Sequence, residues 1–263
     1  MIEKKDLFNK EPEKPTVDFA KRAIAVASGK GGVGKSTTTC NLAAALSNLG
    51  FKVGILDADV YGFSVPRILG VTGQPTEKDE RIVPLRRENI QIISMGFFVD
   101  EDAPVIWRGP LLHKAVTQFL TDVAWDQLDF LLIDMPPGTG DVTLSIAQLL
   151  PKAEMLVITT PQPVASHTAG RVAKLAEKTK LSVLGVIENM SYYESNGERD
   201  YIFGKDGGKD LAKSLNVPFL GEIPIVTKIR ETSDSGEPVA FSKDDEVALY
   251  FIKIAAQIAK MEK

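Results

Sequence analysis

Ser28-Gly29-Lys30-Gly31-Gly32-Val33-Gly34-Lys35-Ser36-Thr37 is the stretch on which the fold of this chain turns. Ahead of it runs Ala23-Ile24-Ala25-Val26-Ala27, a short apolar run that reads as a buried strand. Behind it, Leu42, Ala45, Leu46 and Leu49 recur at helical spacing over residues 37–49. Gly29, Gly34, Lys35 and Ser36 match G-x-x-x-x-G-K-[ST], the pattern of a phosphate-binding loop, and the strand before it and helix after it supply the context that pattern needs. Glycines let backbone N–H groups of residues 29–37 turn inward around phosphate oxygens, where a side chain would clash. The helix that follows aims its unpaired N–H groups and the positive end of its dipole at the same anion. Lys35 is expected to reach the β- and γ-phosphates, and the Ser36 hydroxyl to ligate Mg²⁺. The alternative is a glycine-rich turn that holds nothing.

The chain around this loop has 263 residues, of which 44% are hydrophobic and 25% charged, enough for one large α/β domain with a full core. A net charge of −4 gives no overall pull toward nucleic acid or an anionic membrane, so neither is an expected partner. No run is long enough for a membrane span and no signal-peptide pattern opens the chain, so the expected location is cytoplasmic. One cysteine, Cys40, excludes an internal disulfide framework and a multi-cysteine zinc site within one subunit. His113 and His167 lack metal-ligand spacing.

Residues 1–20 mix charges with Pro12 and Pro15 and read as a loosely ordered tail, leaving 21–263 as one domain. Apolar runs then alternate with helical patterns. Residues 53–56, 90–93, 130–133, 155–158 and 183–187 read as strands, with a weaker one at 219–221. Helices fit near residues 111–123, 141–150 and 165–178, and a final helix carries Val247, Phe251, Ile254, Ile258 and Met261 in one stripe, expected to pack on the sheet. This is βαβ repetition: a single doubly wound, mostly parallel sheet with helices on both faces, and ligands at the carboxyl ends of its strands.

Three further clusters sit at predicted strand ends. Asp57 and Asp59, one residue apart, project the same way if the strand continues, and both can then approach one metal or water; the alternative is that they cap a turn. Asp134 ends an apolar strand and fits a carboxylate that holds Mg²⁺ directly or through water. After it, Met135-Pro136-Pro137-Gly138-Thr139-Gly140-Asp141 is a stiff turn with a hinge, in which the Gly138 N–H is placed to meet a γ-phosphate and swing away after hydrolysis. Asn189 by itself reads as an ordinary strand-end asparagine.

Lys30 narrows the reading. Gly-Lys-Gly-Gly-Val-Gly-Lys-Ser-Thr resembles the deviant Walker A loop of the MinD, ParA, nitrogenase-iron-protein and Mrp ATPases. With Asp57-Ala58-Asp59-Val60-Tyr61-Gly62, Trp107-Arg108-Gly109-Pro110, residues 133–141, Glu188-Asn189-Met190-Ser191 and Gly221-Glu222-Ile223-Pro224, the chain resembles the Mrp/ApbC/Nbp35 iron–sulfur cluster carrier ATPases over about residues 20–260. The resemblance implies an Mg-dependent, ATP-hydrolysing homodimer that meets through its nucleotide face. Lys30 would then touch the partner subunit's nucleotide, Asp59 orient the attacking water, and Asp57 lie near the Mg²⁺ shell. Asn189 would bond the adenine, whose donor and acceptor an amide matches, and the segment at Pro224 pack on the base. The implied role is iron–sulfur cluster assembly or delivery, with an iron–sulfur apoprotein or scaffold protein as partner. A MinD/ParA-like nucleotide-switched binding or positioning ATPase is the other reading.

One departure stands out. Members that hold a cluster place Cys-x-x-Cys soon after the Asn-Met-Ser segment, two subunits sharing one cluster. Here those places fall near Tyr193 and Asn196, neither of them a thiolate of the kind such clusters need, so cluster binding by this chain itself stays open.

Overall fold

The computed structural model describes residues 18–59, 62–98, 109–138 and 141–261. In chain order the elements are β1 (Ala20–Ser28), α1 (Lys35–Asn48), β2 (Val53–Asp57), α2 (Val65–Ile68), β3 (Thr76–Lys78), β4 (Arg81–Val83), β5 (Leu85–Arg87) and β6 (Ile90–Ser94). There follow α3 (Gly109–Thr121), β7 (Leu128–Asp134), α4 (Asp141–Leu149), β8 (Glu154–Thr159), α5 (Pro163–Lys178) and β9 (Ser182–Ser195). The chain closes with β10 (Glu198–Asp200), α6 (Gly207–Leu215), β11 (Phe219–Ile225), α7 (Thr227–Asp234) and α8 (Ala248–Lys260). The expected tail lies, up to Val17, outside the described residues, as do Trp107, Arg108, Thr139 and Gly140.

The main sheet runs β9-β8-β1-β7-β2-β6-β5, with β11 and the short β10 both paired to β9. β11, β9, β8, β1, β7, β2 and β6 are parallel; β5 and β10 join antiparallel at the ends. The central strands are Val-, Ile- and Leu-rich runs buried on both faces, which is why they lack alternation. The helices fall into two contacting groups: α8, α1, α2 and α7 in one, and α3, α4, α5 and α6 in the other. The expected doubly wound, mostly parallel sheet is therefore the observed one.

β7 lies between β1 and β2, and the register sets the floor of the site. Asp134 pairs with Val26 on one side and with Asp57 on the other. Two strand-end aspartates thus stand next to each other where β1 hands over to the glycine-rich loop. α1 is buried almost all round, with Cys40, Leu42, Ala43, Ala44, Ala45 and Leu46 in the core. α8 packs on α1 and β11, so the stripe predicted to sit on the sheet is shared between a helix and a strand. Arg22 on β1 fastens its end. The guanidinium donates to both Glu154 oxygens at 2.8 and 3.0 Å and to the Ile258 carbonyl at 2.7 Å, a bidentate, charge-assisted clamp.

Candidate functional site

The loop between β1 and α1 adopts a shape its glycines permit. Gly32 and Gly34 have φ of 78° and 81°, in the left-handed region. A Cβ on Gly34 would lie 2.2 Å from the Asn189 amide nitrogen, and one on Gly29 would lie 2.4 Å from the α5 backbone at Thr168 and Ala169. No side chain caps α1, so its first N–H groups remain directed at the loop.

Asp134 is the hub. It is fully buried and accepts from Ser36 Oγ at 2.6 Å and from Thr39 Oγ1 at 2.8 Å, while Lys35 Nζ stands 2.7 Å from it. Lys35 is itself 6% exposed and lies 3.9 Å from Asp59. Thr39 was not anticipated, although it follows Lys35 by one helical turn and must share its face.

Asp57 closes β2, and Asp59 follows two residues on, past the end of the strand. Asp57 accepts from Ser94 Oγ at 2.9 Å and from the Asp59 N–H at 3.2 Å. Asp59 accepts from the Gly62 N–H at 3.1 Å. Both carboxylates therefore also cap the turn. Burial, then the charge on Asp134, pushes the Asp57 carboxyl up to about 8, against the Ser94 hydrogen bond and the Lys35 charge.

The other named residues gather round the same space. Lys30 Nζ donates to Gln162 Oε1 at 2.7 Å, at the start of α5. The Gly138 N–H donates to the Ser28 carbonyl at 2.8 Å, with φ of 96°. Asn189 sits inside β9 rather than at a strand end, and its amide donates to the Val33 carbonyl at 2.8 Å. Ser28, Lys30, Gly31, Gly32, Gly34, Lys35, Ser36, Thr37, Asp59, Asn189 and Pro224 line one cleft of about 1290 Å³. Val226, Ile229, Ile202 and Phe203 also line it and give it apolar surface that suits a flat ring better than a phosphate.

For Mg²⁺, the donor chemistry fits: Ser36 offers a hydroxyl, and Asp134 a carboxylate already balanced by a cation. Among the described residues no three His, Cys, Asp or Glu side chains group as a metal site. Cys40 is buried on α1, and burial pushes its thiol up. Tyr193, near the end of β9, and Asn196, in the turn to β10 with φ of 54°, hold the places where thiols were sought. His113 bonds Ser145 between α3 and α4 at 2.9 Å. No described helix is long and apolar enough to cross a membrane.

Residues 20–259 match the family of NUBPL iron-transfer P-loop NTPases, in the ParA group. The iron–sulfur cluster carrier protein of Bacillus subtilis is 47% identical over 98% of this chain and 72% of its own length. Bacterial relatives of the same name are spanned to as little as 65%. The nucleotide-binding protein of Archaeoglobus fulgidus, solved in complex with ADP, superposes with a TM-score of 0.77 at 35% identity, over 96% of this chain and 98% of that one. The cell division ATPase MinD of Pyrococcus furiosus follows with 0.68 at 26% identity, over 91% and 98%.

Proposed function

The chain belongs to the family of NUBPL iron-transfer P-loop NTPases, and from that premise we propose that it is a Mg-dependent ATPase acting in iron–sulfur cluster assembly or delivery. The observation that carries the proposal is Asp134, which gathers Lys35, Ser36 and Thr39 at the floor of the cleft. Residues 21–263 act as one ATPase domain, and residues 29–37 wrap the triphosphate with backbone N–H groups. Lys35 exchanges its Asp134 carboxylate for the β- and γ-phosphates. The Ser36 hydroxyl and the carboxylates of Asp134 and Asp57, directly or through water, would hold Mg²⁺, which would offset charge on the phosphates. Asp59 orients the attacking water, and the Gly138 N–H leaves Ser28 to meet the γ-phosphate. Asn189 and the Pro224 segment hold the adenine.

Two copies meet through the nucleotide face, Lys30 leaving Gln162 to reach the partner subunit's ATP. Hydrolysis, which depends on alignment and charge stabilisation, then times the release of cargo to an apoprotein or scaffold in the cytoplasm. The test is titration with a fluorescent ATP analogue beside phosphate release, with and without Mg²⁺. Saturable binding with Mg-dependent release supports the reading; no binding at millimolar nucleotide refutes it. The likeness to MinD keeps a nucleotide-switched positioning ATPase as the second reading. ATP-dependent co-sedimentation with liposomes or DNA would favour it.

A further inference from the structure

A second cleft, of about 600 Å³, lies between α5 and α6. Leu211, Leu215, Pro161 and Pro163 give it an apolar lining, and Arg171, Lys174 and Lys205 give it positive charge against the single carboxylate of Asp210. Several other surface cations are held by acids, Lys209 by Asp206 and Glu222, Lys228 by Asp245, and Arg230 by Glu231 and Asp234. Arg171 and Lys174 are exposed, one helical turn apart on α5, and neither has a carboxylate partner among the described residues. Lys205 rests over the Tyr201 ring at 4.9 Å.

We propose that this groove docks an acidic, amphipathic peptide segment of a protein partner, with carboxylates on Arg171, Lys174 and Lys205 and apolar side chains on Leu211 and Leu215. Charge complementarity fixes the occupant's sign, and the apolar lining asks for more than a bare anion. The place is informative too. α5 begins at the Gln162 that holds Lys30, and its backbone at Thr168 and Ala169 closes on Gly29 of the phosphate loop. An occupant of the groove therefore sits on the helix that backs the nucleotide site. That the partner is a cluster acceptor or scaffold rests on the function proposed above; the groove itself does not.

The test is fluorescence anisotropy with a labelled 12-residue peptide of glutamate and leucine, beside a lysine–leucine peptide of the same length. Arg171→Glu/Lys174→Glu is the variant, and fluorescent ATP-analogue binding is read in the same samples. The expected result is binding of the acidic peptide only, weakened by 0.5 M salt and at least about tenfold by the variant, which keeps its ATP affinity. Equal binding of both peptides, or no effect of the variant, overturns the proposal. So does salt-sensitive binding of anionic vesicles through the same residues without peptide binding. Loss of ATP binding by the parent would instead count against the nucleotide reading, leaving the peptide result to be judged alone.

Discussion

Lys35→Ala tests the charge balance on which the site is built. The ammonium stands 2.7 Å from Asp134 and 3.9 Å from Asp59, and Asp134 is fully buried. Removing one partner of a buried pair leaves the other charged and unsolvated, which costs about 3–5 kcal/mol. At about 2–4 °C per kcal/mol, the melting temperature of the nucleotide-free variant should fall by roughly 10 °C. The loss should also depend on pH. Asp57, already pushed up to about 8, loses the Lys35 charge that lowers it, so it rises further. A carboxyl with a raised folded value contributes stability that is lost as pH climbs through that value. Above pH 8 the variant holds a proton that the parent has released. Its stability therefore falls faster, and the deficit widens by up to about 1.4 kcal/mol per pH unit. Urea unfolding at pH 7 and pH 9 measures both effects, and Lys35→Ala/Asp134→Asn should recover most of the loss at pH 7. A Lys35→Ala deficit under about 1 kcal/mol, or one that narrows as pH rises, would refute the reasoning.

Asp59→Asn should bind Mg-ATP about as well as the parent and accumulate as an ATP-bound dimer, seen as a doubled mass in light scattering; normal turnover would move the role to Asp57. Gly34→Ala places a Cβ 2.2 Å from Asn189 and an L-residue at φ 81°. The strain of about 1–2 kcal/mol plus a lost hydrogen bond of about 1 kcal/mol should appear in urea unfolding, and nucleotide affinity should drop more than about tenfold. With Tyr193 and Asn196 in the thiol places and Cys40 buried, anaerobic reconstitution with iron and sulfide should leave no stoichiometric cluster after desalting. A cluster that survives, and that Cys40→Ala removes, would contradict this.

The sheet was legible because its strands are continuous apolar runs and its loop is a fixed spacing of Gly, Lys and Ser. β1, β7 and β8 fall within a few residues of where the pattern put them. The hairpin β3–β4 and strand β5 were not, since their residues are mostly exposed or half-buried and short enough to lack a period. α6 and α7 went unmarked because charged and small residues dilute their apolar faces. The apolar run of β9 stops at Ile187, yet the strand continues to Ser195 through polar residues that pair with β11 and β10. In the site, Asp134 at the end of an apolar strand was legible, whereas its pairing with Lys35 depends on β7 lying beside β1. Ser94 on Asp57 and Gln162 on Lys30 were not legible, because they depend on pairings 37 and 132 residues apart that no local pattern encodes.

The claim that two copies share the reaction rests on Lys30, which is tied to Gln162 within its own chain here. Phosphate release by Lys30→Ala, read beside equilibrium titration with a fluorescent ATP analogue, measures it most directly. The account predicts ATP affinity within a few-fold of the parent and loss of most hydrolysis, because the lysine acts on the nucleotide of the other subunit. Full hydrolysis by Lys30→Ala would contradict it.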